Sequence, residues 1–349
     1  MSKNNSFIKG AAILGIAGII VKILGAIYRI PLANIITNEG MGYYQTAYPL
    51  YTLLLTISTA GFPVAIAKLV SEKRAIGDYK GGYKVFKTAL TGLSIGGLLT
   101  SLYLFFRAES IVEKIGNTNA YYALIALTPA LFFVPIMSVF RGYFQGNQTM
   151  VPTALSQIAE QLFRVVGGLA LTYYLLPNGI PMAAGGASSG GSIGAIAGTI
   201  IILFVYFYKR KGSQKELEIS INTKEYTVGE IVKDLLVIAI PITLGASIVP
   251  IMDYIDLKLV LKRLQTIEYT EAEANALFGN LKGMAQTLIN FPQVFSIAIS
   301  MSLVPAIADA NAKKKKRELE NIISSGIRIT LLIGLPAALG LFVLARPII

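Results

Sequence analysis

Long apolar runs separated by short polar intervals dominate this chain. Nine of them reach the roughly 20 residues a helix needs to cross a bilayer core. They fall at 10–30, 42–67, 85–106, 120–141, 151–176, 183–208, 235–257, 279–307 and 321–345. The run at 10–30 is too long for the apolar part of a signal peptide, and no small-residue cleavage site follows it, so it reads as a retained span. The fifth run breaks the pattern. After Arg141 at the edge of span four come a Gly/Asn/Gln turn over 146–149 and Pro152, and then Gln157, Glu160, Gln161 and Arg164. Those four are spaced i, i+3, i+4 and i+7, so they share one helix face. Glu160 lies roughly 14 Å into the span at 1.5 Å per residue, and Arg164, one turn deeper, is placed to pair with it. Polar stripes at that depth are costly and face a cavity or a partner helix.

Small residues are also periodic. Gly186, Gly190, Gly194 and Gly198 recur at every fourth position, as do Gly92 and Gly96. Both series predict close helix packing. The segment GASSGGS lacks the Lys and the preceding strand of a phosphate-cradling loop.

Composition narrows the class. Hydrophobic residues make up 54% of the 349 and charged residues 14%, with a mean hydropathy of +0.62; this is the profile of an all-α polytopic membrane protein. Cys is absent, which excludes disulfides and thiolate metal sites. His is absent too, so proton coupling near neutral pH would require a carboxylate with a raised pKa. With no Trp, the 18 tyrosines take the interfacial role, as at Tyr43–Tyr44, Tyr121–Tyr122, Tyr173–Tyr174 and Tyr206–Tyr208.

The net charge of +12 is sorted by loop parity rather than gathered as a nucleic-acid patch. Lys and Arg crowd 68–87, 209–233 and the run KKKKR at 313–317, whereas the expected loops at 31–41 and 177–192 carry none and 258–282 mixes both signs. By the positive-inside rule, the N-terminus and the basic loops face the cytoplasm. Ser58, Ala60 and Pro63 of span two align in register with Ser300, Ser302 and Pro305 of span eight, which suggests a parallel repeat of six spans. The expected division is a six-helix lobe at 1–215, a cytoplasmic linker at 216–234 and the start of a second lobe at 235–349. The ending ARPII, without a polar tail, has the look of a truncated second lobe.

Few charges remain at membrane depth. Lys22 sits near the middle of span one and Arg29 two turns further on; Asp253 and Asp256 lie near the outer end of span seven, and Lys282 near the outer start of span eight. Together with Glu160 and Arg164, these are the cavity candidates. Snorkelling, interfacial wetting or a structural ion pair are the alternative roles. No Ser/His/Asp set, metal-ligand cluster or carboxylate pair beside a nucleophile occurs, which favours a carrier over an enzyme and calls for no cofactor beyond a coupling ion or the membrane potential.

The stretch FRGYFQGNQTMVPTALSQIAEQLFRV resembles the linker between spans four and five in the polysaccharide-exporter and stage V sporulation protein B-like branch of the MOP flippase superfamily. That branch includes MurJ-type lipid II flippases of Gram-positive bacteria. The segments KILGAIYRIPLANIITNEGMGYYQTAYPLYTLLLTISTAGFPVAIAKLVSE at 22–72 and LFGNLKGMAQTLINFPQVFSIAISMSLVPAIADA at 277–310 support the resemblance. It implies a two-lobed helical bundle of about fourteen spans, nine of them present here, around a central cationic cavity. In that pattern Arg29 and Lys282 match the cavity cations of spans one and eight. Span two departs from it, with no Lys or Arg between Met41 and Ala67. The resemblance implies an alternating-access flippase in the bacterial cell membrane. Its substrate would be an undecaprenyl-pyrophosphate-linked glycan, lipid II first, and its partners membrane lipid and cell-wall synthesis or division proteins. An exporter of another lipid-linked oligosaccharide or polysaccharide unit is the alternative within the class, and a multidrug/cation antiporter the alternative outside it.

Overall fold

The computed structural model describes residues 3–221, 226–290, 315–345 and scattered positions between 291 and 314, and it is helical throughout, with no strand among the described residues. The helices are α1 (Lys3–Thr59), α2 (Phe62–Ala75), α3 (Tyr79–Ile115), the short α4 (Tyr121–Ile125) and α5 (Thr128–Gly146). They continue with α6 (Val151–Leu175), α7 (Ile180–Glu218), α8 (Val228–Thr266), α9 (Glu271–Phe278) and α10 (Lys316–Val343). A π-helical segment, Gly279–Ala285, follows α9 directly.

The expected loops are far shorter than hydropathy suggested. The 31–41 interval is helical on both sides of a single break at Thr37, where φ is 60°. Left-handed backbone strains a β-branched residue by about 1–3 kcal/mol, and Thr37 Oγ1 donates to the Ile36 carbonyl at 2.7 Å. The two halves of α1 share one buried cluster containing Tyr28, Leu32 and Ile36 from the first and Met41 and Tyr44 from the second. Likewise 68–87 reduces to a turn at 76–78, the 177–192 interval is helical from Ile180 onward, and 258–282 reduces to a turn at 267–270. Helices run past their apolar cores because an intact ladder satisfies backbone groups at the membrane surface that a loop would expose. Thr227 with Glu230, and Thr270 with Glu273, form reciprocal capping boxes that start α8 and α9.

Among the described residues six helical stretches are long and apolar enough to cross a membrane, and the first, Ala12–Ala75, contains two of the expected spans. Helix α6 is not among them, since its polar stripe dilutes an otherwise apolar 25-residue helix. The later part of the span expected at 279–307, the repeat residues Ser300, Ser302 and Pro305, and Lys313 and Lys314 of the basic run lie outside the described residues.

The two glycine series part ways. Gly186, Gly190, Gly194 and Gly198 on α7 lie against the backbone carbonyls of Leu171, Arg164, Glu160 and Ser156 on α6, leaving no room for a Cβ. That contact fixes the polar-stripe helix in place. Gly92 and Gly96 on α3 have open space where a Cβ would be, so the packing expected of them does not occur. Gly190→Ala is therefore expected to lower stability by about 1–3 kcal/mol through overpacking, while Gly92→Ala leaves the melting temperature in detergent unchanged or slightly higher. Equal losses for the two variants would contradict this packing.

At the end of the bundle remote from Thr37, the end of α7 and the segment after it are clasped to the end of α2 and the α2–α3 turn. Arg74 donates to both Glu216 oxygens, at 2.7 and 2.9 Å, and the Ile221 amide donates to the Gly77 carbonyl at 3.0 Å. Hydrogen bonding to Arg74 holds the Glu216 carboxyl below its usual range.

Candidate transport cavity

Two adjoining cavities lie between α1, α6, α8 and the helix that follows the π-helical segment. The first, about 390 Å³, is lined by Lys22, Arg29, Tyr44, Gln161 and Arg164 among others. The second, about 620 Å³, is lined by Gln45, Thr52, Asp253, Lys282 and Gln286 among others. Arg29, Tyr48 and Asn290 line both, so these three stand at the waist where the two cavities adjoin.

Every sequence-derived site residue falls on this space or one contact from it. Gly25 lets α1 approach α6, since a Cβ there would crowd the Gln161 amide. Arg29 Nη1 donates to Thr287 Oγ1 at 2.7 Å. Among the described residues no carboxylate lies within ion-pair distance of Arg29 or Lys22. Both cations therefore keep donors for an anionic ligand.

Arg164 belongs to a triad. Glu160 accepts from Arg164 at 3.0 Å on one carboxylate oxygen and from Arg141 at 3.0 Å on the other. Arg141 Nε also donates to Ser156 Oγ at 2.8 Å. All three side chains are at least four-fifths buried. Two guanidiniums on one carboxylate leave a net positive charge, and of the two arginines Arg164 lines the cavity. The Glu160–Arg164 pair was legible from its spacing, but Arg141 as the third member was not. Only 147–150 separate α5 from α6, so a tight helical hairpin brings Arg141 level with Ser156 and Glu160.

Lys282 is differently placed. Its ammonium contacts Asp253 at 3.3 Å and Asp256 at 2.9 Å, two carboxylates three residues apart on α8. It was expected as a cavity cation; the structure places it between the two aspartates, a cluster with one net negative charge. The cavity is thus polarised, positive toward Lys22, Arg29 and Arg164 and balanced-to-negative toward Asp253 and Asp256.

At the end of the bundle near Thr37 the segments are joined by a buried polar knot. Asn117 Nδ2 donates to Thr46 Oγ1 at 2.7 Å and to Asn275 Oδ1 at 2.6 Å, and Asn275 Nδ2 donates to the Glu39 carbonyl at 2.8 Å. Gly42 and Gly279 permit this approach, each lying against the other segment's backbone. Gln45 adds a bond to the Lys282 carbonyl at 2.7 Å. Among the described residues there is no group of three or more metal-ligating side chains.

A family model described as "Polysaccharide biosynthesis protein" matches residues 7–311. The chain belongs to the polysaccharide biosynthesis protein family. Among relatives of this family member, stage V sporulation protein B of Bacillus subtilis (strain 168) is 33% identical over 343 residues, covering 97% of this chain and 65% of that protein. The lipid II flippase MurJ of Bacillus subtilis (strain 168) is 29% identical over 357 residues, covering 99% of this chain and 65% of that protein. The chain thus spans about two thirds of the length of these relatives. An inward-facing multidrug resistance MATE family transporter of the MOP superfamily superposes with a TM-score of 0.66 at 16% identity, covering 93% of this chain and 74% of that one. This polysaccharide biosynthesis family member has the fold of MOP-superfamily transporters and is a multi-pass membrane protein.

Proposed function

We propose that this chain forms the substrate-binding part of an alternating-access flippase for a polyprenyl-pyrophosphate-linked glycan, with the peptidoglycan precursor lipid II as its cargo. The observation that carries this reading is the meeting of Lys22, Arg29 and Arg164 in one cavity, the first two without a carboxylate partner among the described residues. A pyrophosphate brings several negative charges. Cations held in a low-dielectric cavity attract it several-fold more strongly than they would in water. The same arrangement repels the lipophilic cations that a multidrug antiporter would carry, and the acids that could attract them, Asp253 and Asp256, are held by Lys282. Another lipid-linked oligosaccharide would satisfy the same three cations. Reconstitution in proteoliposomes decides: outward movement of a fluorescent polyprenyl-pyrophosphate glycan above protein-free vesicles is expected, and transport of organic cations instead would overturn the reading.

The proposal carries an orientation. The N-terminus and the basic turns face the cytoplasm of a bacterial cell, 1–215 forms one lobe and 235–349 begins the second, and the knot around Asn117 and Asn275 closes the outer end. Alternating access requires that knot to part. In a chain without native Cys, Asn178→Cys is expected to react with an impermeant thiol reagent in intact cells, and Lys80→Cys only after lysis. The reverse labelling pattern would invert the topology.

A further inference from the structure

Beyond its charges, the cavity waist presents an aromatic surface flanked by amides. Tyr48 is stacked on Tyr44, with ring centroids 5.6 Å apart and planes at 22°, and Tyr51 stands beside it at 5.9 Å. Tyr44 and Tyr51 are buried, whereas Tyr48 is half-buried and lines both chambers. Its hydroxyl bonds to no protein group among the described residues. At the same waist Gln286 Nε2 donates to Asn290 Oδ1 at 3.0 Å, which leaves the Asn290 amide hydrogens and the Gln286 carbonyl for a ligand.

Phosphate recognition needs none of this. A pyrophosphate asks for cations and N–H donors, which Arg29, Lys22 and Arg164 supply. A flat aromatic ring beside paired amides suits a ligand with one apolar face and hydroxyl or acetamido groups around its edge, which is the chemistry of a pyranose ring. Tyr48 shares the waist with Arg29, so a ligand with its phosphates on Arg29 puts its next group against the tyrosine. We infer that Tyr48, backed by Tyr44, is the platform for the sugar joined to the pyrophosphate, and that Asn290 and Gln286 read that sugar's edge. This rests on the pyrophosphate reading above and adds to it a reason for the site to distinguish a glycan-bearing lipid from its bare carrier.

The test compares two probes on the full protein in nanodiscs: a polyprenyl pyrophosphate without sugar, and the same lipid carrying one N-acetylhexosamine. Wild type is expected to bind the sugar-bearing lipid about tenfold more tightly. Tyr48→Leu is expected to abolish that preference, Tyr48→Phe to keep most of it, and Asn290→Ala to reduce it. Arg29→Ala is expected to weaken both probes together. Equal affinity of wild type for the two lipids, or an equal loss on both in Tyr48→Leu, would overturn the platform while leaving the phosphate site standing. Binding of neither lipid by wild type would remove the phosphate reading, and the platform with it.

Discussion

Arg29→Ala is expected to abolish measurable transport while the protein still inserts and folds. Arg29 is half-buried at the waist, and among the described residues its one hydrogen bond is to the Thr287 hydroxyl. Truncation therefore breaks no ion pair and leaves no buried charge uncompensated, so stability should fall by less than about 1.5 kcal/mol. A charge-assisted, bidentate contact to phosphate is worth more, on the order of 2–4 kcal/mol, or roughly 30- to 1000-fold in affinity. Arg29→Lys should recover only part of the loss, because an ammonium offers a point charge in place of a planar fork. The measurements are lipid transport in proteoliposomes and melting temperature for the same preparations. Wild-type transport by Arg29→Ala would remove the cationic cavity from the mechanism. Lys282→Ala should behave differently: it strands Asp253 and Asp256 side by side, so its defect should be partly restored by neutralising both acids.

Glu160→Leu is expected to be the most destabilising single change, at about 3–5 kcal/mol, because it leaves two guanidiniums facing each other inside the bundle without their shared carboxylate. The geometry also settles which compensating change can work. Sequence spacing suggests that removing Glu160 and Arg164 together would restore the fold. With Arg141 as a third member, that double variant still strands one buried cation, and only the triple variant Arg141→Met/Glu160→Leu/Arg164→Met should recover abundance. Transport then separates two roles for the triad. A purely structural triad allows the triple variant to transport as wild type does, whereas a triad that aims Arg164 at the phosphates leaves it folded and inactive. Folded protein is quantified by gel-filtration fluorescence, and activity is normalised to it.

Much of the candidate cavity's lining was legible because membrane burial makes polar residues conspicuous. Glu160, Arg164, Lys22, Arg29, Asp253, Asp256 and Lys282 stand out against apolar surroundings, and each lies on the cavity or one contact away. Tyr48, Thr287 and Asn290 did not stand out. Tyrosines are common at membrane interfaces, and a lone amide near a span end carries no periodic signal. Their places at the cavity come from neighbours remote in the chain, as when Arg29 meets Thr287. The equal spacing of Gly92–Gly96 and Gly190–Gly194 shows the same limit, since only the partner helix tells an open glycine from a packed one.

The sequence by itself determined the class, the helical character, most of the spans and which charges are too costly to be accidental. All of these follow from one-dimensional rules: run length against bilayer thickness, and the transfer cost of each side chain. The tertiary structure decided how those charges are paired. Coulomb energy depends on distance, so it was pairing in space that left Lys22 and Arg29 open to a ligand, bound Lys282 between two aspartates and joined Arg141 to Glu160 across a hairpin.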